Sequence, residues 1–234
     1  MDINIVGYSE RGVINALFYS IALNKDEKAM KEFLSLAGIT NNYNEYKLFS
    51  EFSLSEFGSP DFVIIADNKD VYFIEAKVSC GQKFDLKEQK QRHDNYIRNK
   101  EHVFGHASNL FFQLRLKDYF FKHKILKIDN NDLNLPTEIL KSRRGDRKEG
   151  KNVVVNKFIE ELKDKNAYYI AIIPECTNFE KPLEVKYNEY NMSICYVTWE
   201  SLIRGKYTGK LLRETILYNQ DADVSQILNK PIKL

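Results

Sequence analysis

The apolar positions of this chain fall first into helical steps and then into strand steps. Val13, Ile14, Leu17, Phe18, Ile21 and Ala22 recur at three- and four-residue intervals, which predicts a helix from Ser9, taken as its N-cap, to about Leu23. A second helix is predicted from Asp26 to Ala37, with Met30, Phe33 and Leu34 inward and Gly38 as its stop. The period then changes. Tyr46 to Leu54 reads as a strand, and it leads into two apolar runs, Phe62-Val63-Ile64-Ile65-Ala66 and Val71-Tyr72-Phe73-Ile74, on either side of a polar turn. β-Branched and aromatic residues flanking such a turn predict a β-hairpin. Further on, Asp85 opens a highly charged helix to about His102, and Asn109 to Phe121 is a more apolar one, with Leu110, Phe111, Leu114 and Phe121 inward. A short strand is expected at Ile125 to Ile128, and an amphipathic helix from Asn156 to Lys163. Tyr168 to Ile173 and Met192 to Trp199 read as buried strands. Thr198 is placed to cap a short helix, and Leu211 to Tyr218 begins the last one. The expected class is α/β, a central mixed β-sheet flanked by helices.

The hairpin carries charges where its apolar flanks demand burial: Asp61 at its opening, Glu75 and Lys77 at its close. Burying such groups costs several kcal/mol unless they are paired or bind a metal. Side chains alternate along a strand, so Glu75 and Lys77 are expected on one face. A two-residue loop at Asn68-Lys69 pairs Asp61 with Ala76 and turns it to the other face. An odd-length loop, or a bulge near Pro60, brings Asp61 beside Glu75 or Lys77. One of these is predicted, since bulges concentrate at active sites. The competing picture, an exposed edge hairpin with scattered charges, fits poorly with runs this apolar. Glu10 lies four residues before Ile14 and seven before Leu17, on the inward stripe of the first helix. An acid in a first turn also complements the helix dipole, so spacing alone leaves both roles open. Glu51 and Glu56 are read as solvated surface acids.

Size and composition narrow the picture. The chain has 234 residues, 43% of them hydrophobic and 29% charged, which suits one domain with a full core. A net charge of +2 neither requires nor excludes a nucleic-acid partner. Cys80, Cys176 and Cys195 form no CxxC pair and no zinc spacing with the histidines, and they are expected to stay reduced. No apolar run reaches membrane-spanning length and no signal peptide is visible, so a cytoplasmic protein without membrane contact is expected. One strongly basic run, Lys141 to Lys151, sets six cations against two acids. It is either a solvated loop or a clamp on a phosphate backbone, in which Arg143, Arg144, Arg147 and Lys148 take part. The polar helix from Asp85 offers Gln89, Gln91, Arg92, His93 and Tyr96 for similar contacts, or is simply solvated through i,i+4 charge pairs. No phosphate-binding glycine loop, nucleophilic Ser or Cys arrangement, or dinucleotide fingerprint is present.

Pro60-Asp61, thirteen intervening residues, then Glu75-Ala76-Lys77 resembles the motif of the PD-(D/E)XK nuclease superfamily. That resemblance implies a restriction-endonuclease-like α-β-β-β-α-β core, about residues 9–200, in a single domain 1–234 with a C-terminal helical extension of about 201–234. It implies that Asp61, Glu75 and the backbone carbonyl of Ala76 hold Mg²⁺, with Mn²⁺ able to substitute. Lys77 then positions the attacking water, and Glu10 serves as a metal-proximal acid for a second metal or a second water. The superfamily often carries a polar residue, commonly Gln, on the helix after the motif lysine; Gln91 is favoured, with Gln89 and Gln113 as alternatives. The expected activity is Mg²⁺-dependent endonucleolytic hydrolysis of DNA, with Gln91 and Arg92 contacting the substrate. RNA is an alternative substrate, and a binding protein with weak or no hydrolysis is an alternative function. Double-strand cutters are often homodimers by symmetry. In the absence of metal, Asp61 and Glu75 should repel, and one carboxyl should bind its proton more tightly.

Overall fold

In the computed structural model, residues 6–23, 27–54, 57–80, 82–99, 108–123, 153–176, 183–187 and 190–233 are described. In chain order their elements are α1 (Ser9–Ala22), α2 (Lys28–Leu36), β1 (Tyr46–Ser50), β2 (Phe62–Ala66), β3 (Asp70–Ala76), α3 (Leu86–Asn99), α4 (Leu110–His123), α5 (Val153–Glu161), β4 (Asn166–Ile173), β5 (Leu183–Tyr187), β6 (Tyr190–Thr198), α6 (Trp199–Arg204) and α7 (Gly209–Tyr218). The expected strand at Ile125–Ile128, Glu56 and the basic run with Arg143, Arg144, Arg147 and Lys148 lie outside the described residues.

The strands form one mixed sheet in the order β1-β2-β3-β4-β6-β5. β1, β2 and β3 are an antiparallel meander, β3, β4 and β6 run parallel, and β5 closes the edge antiparallel to β6. A parallel neighbour needs a crossover, and the segment containing α3, α4 and α5 supplies it between β3 and β4. β2 and β3 are buried along their whole length, which is why they read as continuous apolar runs rather than as alternation. One layer of helices packs Val13 and Leu17 of α1, Phe33 of α2, Leu202 of α6 and Ile216 of α7 against Ile64, Tyr72 and Ile74. The other packs Phe111 and Leu114 of α4 and Phe158 of α5 against Val63, Val71 and Phe73. The C-terminal residues Leu212, Ile216, Ile227 and Leu228 belong to the first of these cores. No helix among the described residues is long and apolar enough to cross a membrane.

The turn between β2 and β3 fixes the site. Ala66 pairs with Asp70, so the loop is the odd-length Asp67-Asn68-Lys69. Asp67 and Asn68 take left-handed backbone angles, φ +47° and +51°, and Lys69 N–H closes onto Ala66 O at 2.9 Å. Asp and Asn tolerate that region better than most residues. The Asp67 carboxylate also anchors the loop, accepting Asn44 N–H at 2.7 Å and Glu45 N–H at 2.9 Å.

Several local expectations change. Ser9 does not cap α1: Tyr8 occupies the cap position, and Ser9 itself sits at φ +63° with no side-chain cap bond on the helix. β1 stops at Ser50 instead of Leu54, because Glu51 turns to φ +46°. Gly38 ends α2 as expected, at φ +84°, with Ile39 N–H bonded to Leu34 O at 2.8 Å. Thr198 caps α6 as expected, accepting Ser201 N–H at 3.2 Å.

Candidate active site

The site forms where β3 ends. Lys77 N–H donates to Ile172 O of β4 at 2.8 Å, and the indole Nε1–H of Trp199 donates to Lys77 O at 2.8 Å. The backbone of Lys77 is therefore fixed from both directions. Since it faces β4, alternation along the strand turns the amide and carbonyl of Ala76 toward β2. There Asp61 Oδ2 accepts Ala76 N–H at 2.6 Å. Asp61 is held by its own backbone, with its N–H on Ile74 O at 3.0 Å and its carbonyl taken by Glu51 N–H at 3.0 Å. The regular β2–β3 pairing ends at Phe62–Ile74, and Asp61 sits one residue beyond it with its N–H on the same Ile74 carbonyl, an irregular strand end from which its carboxyl feels the Glu75 charge. Of the two routes expected, the loop is odd in length, and the strand also ends irregularly at Asp61.

Electrostatics record the crowding. Burial and the neighbouring Glu75 carboxylate push the Asp61 carboxyl up to about 7, against the opposing pull of Lys77 and the Ala76 amide; Glu10 pushes the same way as Glu75. Glu10 is also raised, by burial above all and by Glu75, although the Lys77 ammonium lies 3.5 Å from it and opposes the shift. The Lys77 side chain is 12% exposed and that of Glu10 34% exposed. The structure places Glu10 half-buried beside Lys77, and Glu75, Lys77 and Glu10 all act on Asp61.

The two charges closing β3 do not share a partner layer. Lys77 pairs with α1, whereas Glu75 turns to α4, where Lys117 Nζ lies 2.6 Å from Glu75 Oε1 with both side chains only 2% exposed. That approach has the distance of an ion pair but not the alignment of a hydrogen bond, so Glu75 Oε1 has no hydrogen-bond partner among the described residues. Lys117 was not anticipated. It sits three residues after Leu114 and seven after Leu110, so the signal was a lysine on the inward stripe of an apolar helix.

Other candidates fall elsewhere. Gln91 and Arg92 are exposed on α3, with Arg92 ion-paired to Glu88. Gln89 ties α3 to the start of α4, its Oε1 accepting Leu110 N–H at 3.1 Å. Gln113 lies one turn before Lys117 on α4, and its Oε1 is buried without a hydrogen-bond partner among the described residues. His93 is buried against Phe111 and Phe112, and burial lowers its pKa, so it is a core group and not a phosphate contact. Glu51 is exposed and paired with Arg11 at 2.9 Å, a surface contact as expected.

Among the described residues no group of three or more His, Cys, Asp or Glu side chains is arranged as a metal cage. What the site offers is different: two adjacent carboxylates, Asp61 and Glu75, with the Ala76 carbonyl directed to the same edge. Mg²⁺ takes oxygen ligands, keeps several waters and is held by one or two carboxylates. The donor set is all oxygen, and an Asp61 carboxyl held near 7 beside a second acid is the group whose ionisation a cation would favour. The residues fit a hard divalent ion. Comparison with protein-family models, with curated proteins and with solved structures finds no match to this chain. Function is read from the side chains themselves.

Proposed function

We propose that this chain is a metal-dependent nuclease that hydrolyses DNA phosphodiester bonds at Asp61, Glu75 and Lys77, on a restriction-endonuclease-like core. The element order supports the core: α1, the antiparallel β1–β3, then helices and the parallel β4. The observation that carries the function is the gathering at one strand end of Asp61, its Oδ2 on Ala76 N–H at 2.6 Å, with Glu75 acting on it and the Lys77 ammonium 3.5 Å from Glu10. The raised Asp61 carboxyl agrees with that crowding. A binding surface for phosphates has no use for the neighbouring Asp61 and Glu75 carboxylates, which repel the ligand unless a cation intervenes.

Asp61, Glu75 and the Ala76 carbonyl would hold the ion, which when bound would supply Lewis-acid relief of the repulsion between phosphate and an attacking hydroxide. Lys77 would orient the attacking water and oppose the charge that grows on the phosphate oxygens. Its reach is restricted because Ile172 and Trp199 clamp its backbone and Glu10 takes its ammonium. Glu10 acts on the reaction through Lys77, as a positioning residue.

The test is incubation of the purified protein with circular and linear DNA and with single-stranded RNA, in Mg²⁺, in Mn²⁺ and in a chelator. Cleavage of DNA in metal and none in chelator is expected. Retention of DNA without cleavage in either metal makes the chain a binding protein, and cleavage of RNA alone reassigns the substrate.

A further inference from the structure

Lys117 is a lysine in a place built for apolar groups. Its neighbours on the α4 stripe, Leu110 and Leu114, are fully buried. Lysine is almost never fully buried unless its charge is answered. Here Glu75 answers it at 2.6 Å, and Glu75 is the acid at the centre of the candidate site. The loop before Pro60-Asp61 also closes on the ammonium. Gly58 sits at φ +77°, and a Cβ built on it meets Lys117 Nζ at 3.3 Å. The ammonium therefore lies between Glu75 and the backbone that leads to Asp61. At the end of β3 Glu75 is thus answered by Lys117 on the buried α4 side, as Glu10 is by Lys77 on the α1 side.

We propose that Lys117 is a resident counter-cation for the metal site: it neutralises and seats Glu75 while the metal is absent, and it lowers metal affinity because the ion enters against its charge. This deepens the nuclease reading and rests on it. A removed buried partner leaves an uncompensated charge, which is strongly destabilising. In this site a divalent ion bound by Glu75 supplies the missing positive charge. Removing Lys117 should therefore make the protein depend on metal for its stability and bind metal more tightly. A lysine that is only packing predicts neither effect.

The experiment compares the wild type, Lys117→Met and Lys117→Arg in full-length protein. Mn²⁺ affinity is measured from the free-ion electron paramagnetic resonance signal, and melting temperature with Mn²⁺ and with chelator. Lys117→Met should bind Mn²⁺ at least tenfold more tightly than the wild type and show a larger metal-induced rise in Tm. Lys117→Arg, which keeps the charge, should stay within about twofold of the wild type. If Lys117→Met is unfolded in chelator, Mn²⁺ should restore its folded circular dichroism spectrum, and failure to do so overturns the proposal. Equal Mn²⁺ affinity in the wild type and Lys117→Met also overturns it while leaving the nuclease reading intact. A wild type that binds no Mn²⁺, with or without DNA, overturns both.

Discussion

Replacing Lys77 with Ala should lower metal-dependent DNA cleavage by roughly 10²–10³-fold while the protein stays folded and still binds DNA. The size follows from the role. An ammonium aimed at developing charge in a partly dry site contributes mainly to the transition state, so turnover falls and substrate affinity changes little. The fold survives because Lys77 is anchored through its backbone, by Ile172 and Trp199, and Ala keeps both bonds. Among the described residues the ammonium's ion pair is to Glu10, 3.5 Å away and 34% exposed, and such pairs add little stability. Single-turnover cleavage and a filter-binding isotherm on the same substrate separate the two effects. Cleavage by Lys77→Ala at the wild-type rate removes the assigned role.

The second large effect is on stability. In chelator, Asp61→Asn should be more stable than the wild type above pH 7 and equal to it near pH 4. The Asp61 carboxyl is raised from an ordinary 3.8 to about 7, so the folded protein holds a proton that the unfolded chain releases. Such a group favours folding fully below about pH 4, loses that advantage as pH rises from about 4 to about 7, and costs a constant amount above. A shift of that size is worth on the order of 4 kcal/mol. Asn carries no charge, and its side-chain oxygen can still accept Ala76 N–H, so the variant escapes the pH-dependent cost. Urea unfolding across that range reads the gap directly. Parallel profiles for the two proteins would show that Asp61 ionises normally. The same variant should lose cleavage, since its stability comes from removing a charge the reaction requires.

The hairpin and its charges were legible because the conflict is local. Fully apolar strands cannot carry Asp61, Glu75 and Lys77 without a reason, and an odd loop or a bulge near Pro60 was the expected way to bring Asp61 to that end of β3. Spacing put Glu10 on the inward stripe but left a dipole role equally open, and only the resemblance to the nuclease superfamily turned it toward the site. Lys117 was not legible, because a lysine on an amphipathic helix ordinarily lays its stem along the core and lifts its charge into water. Only the packing of α4 on β3 shows that its charge stays inside. The Trp199 bond to Lys77 O spans 122 residues and leaves no mark on local pattern. Ser9 fails as a cap because Tyr8 takes the cap position and Ser9 turns to φ +63°, and β5 went unread although Leu183 to Tyr187 alternates apolar and polar, because five residues give that pattern little weight. Among the glutamines, sequence favoured Gln91, which is exposed, whereas Gln113 shares the α4 face of Lys117 by its i,i+4 spacing.

The most direct test of the cation site is a crystal of the protein soaked in Mn²⁺, with anomalous differences collected. The account predicts a peak at the end of β3, within about 2.2 Å of carboxylate oxygens from both Asp61 and Glu75. A saturating soak that leaves that position without a peak, with Glu75 still on Lys117, contradicts it.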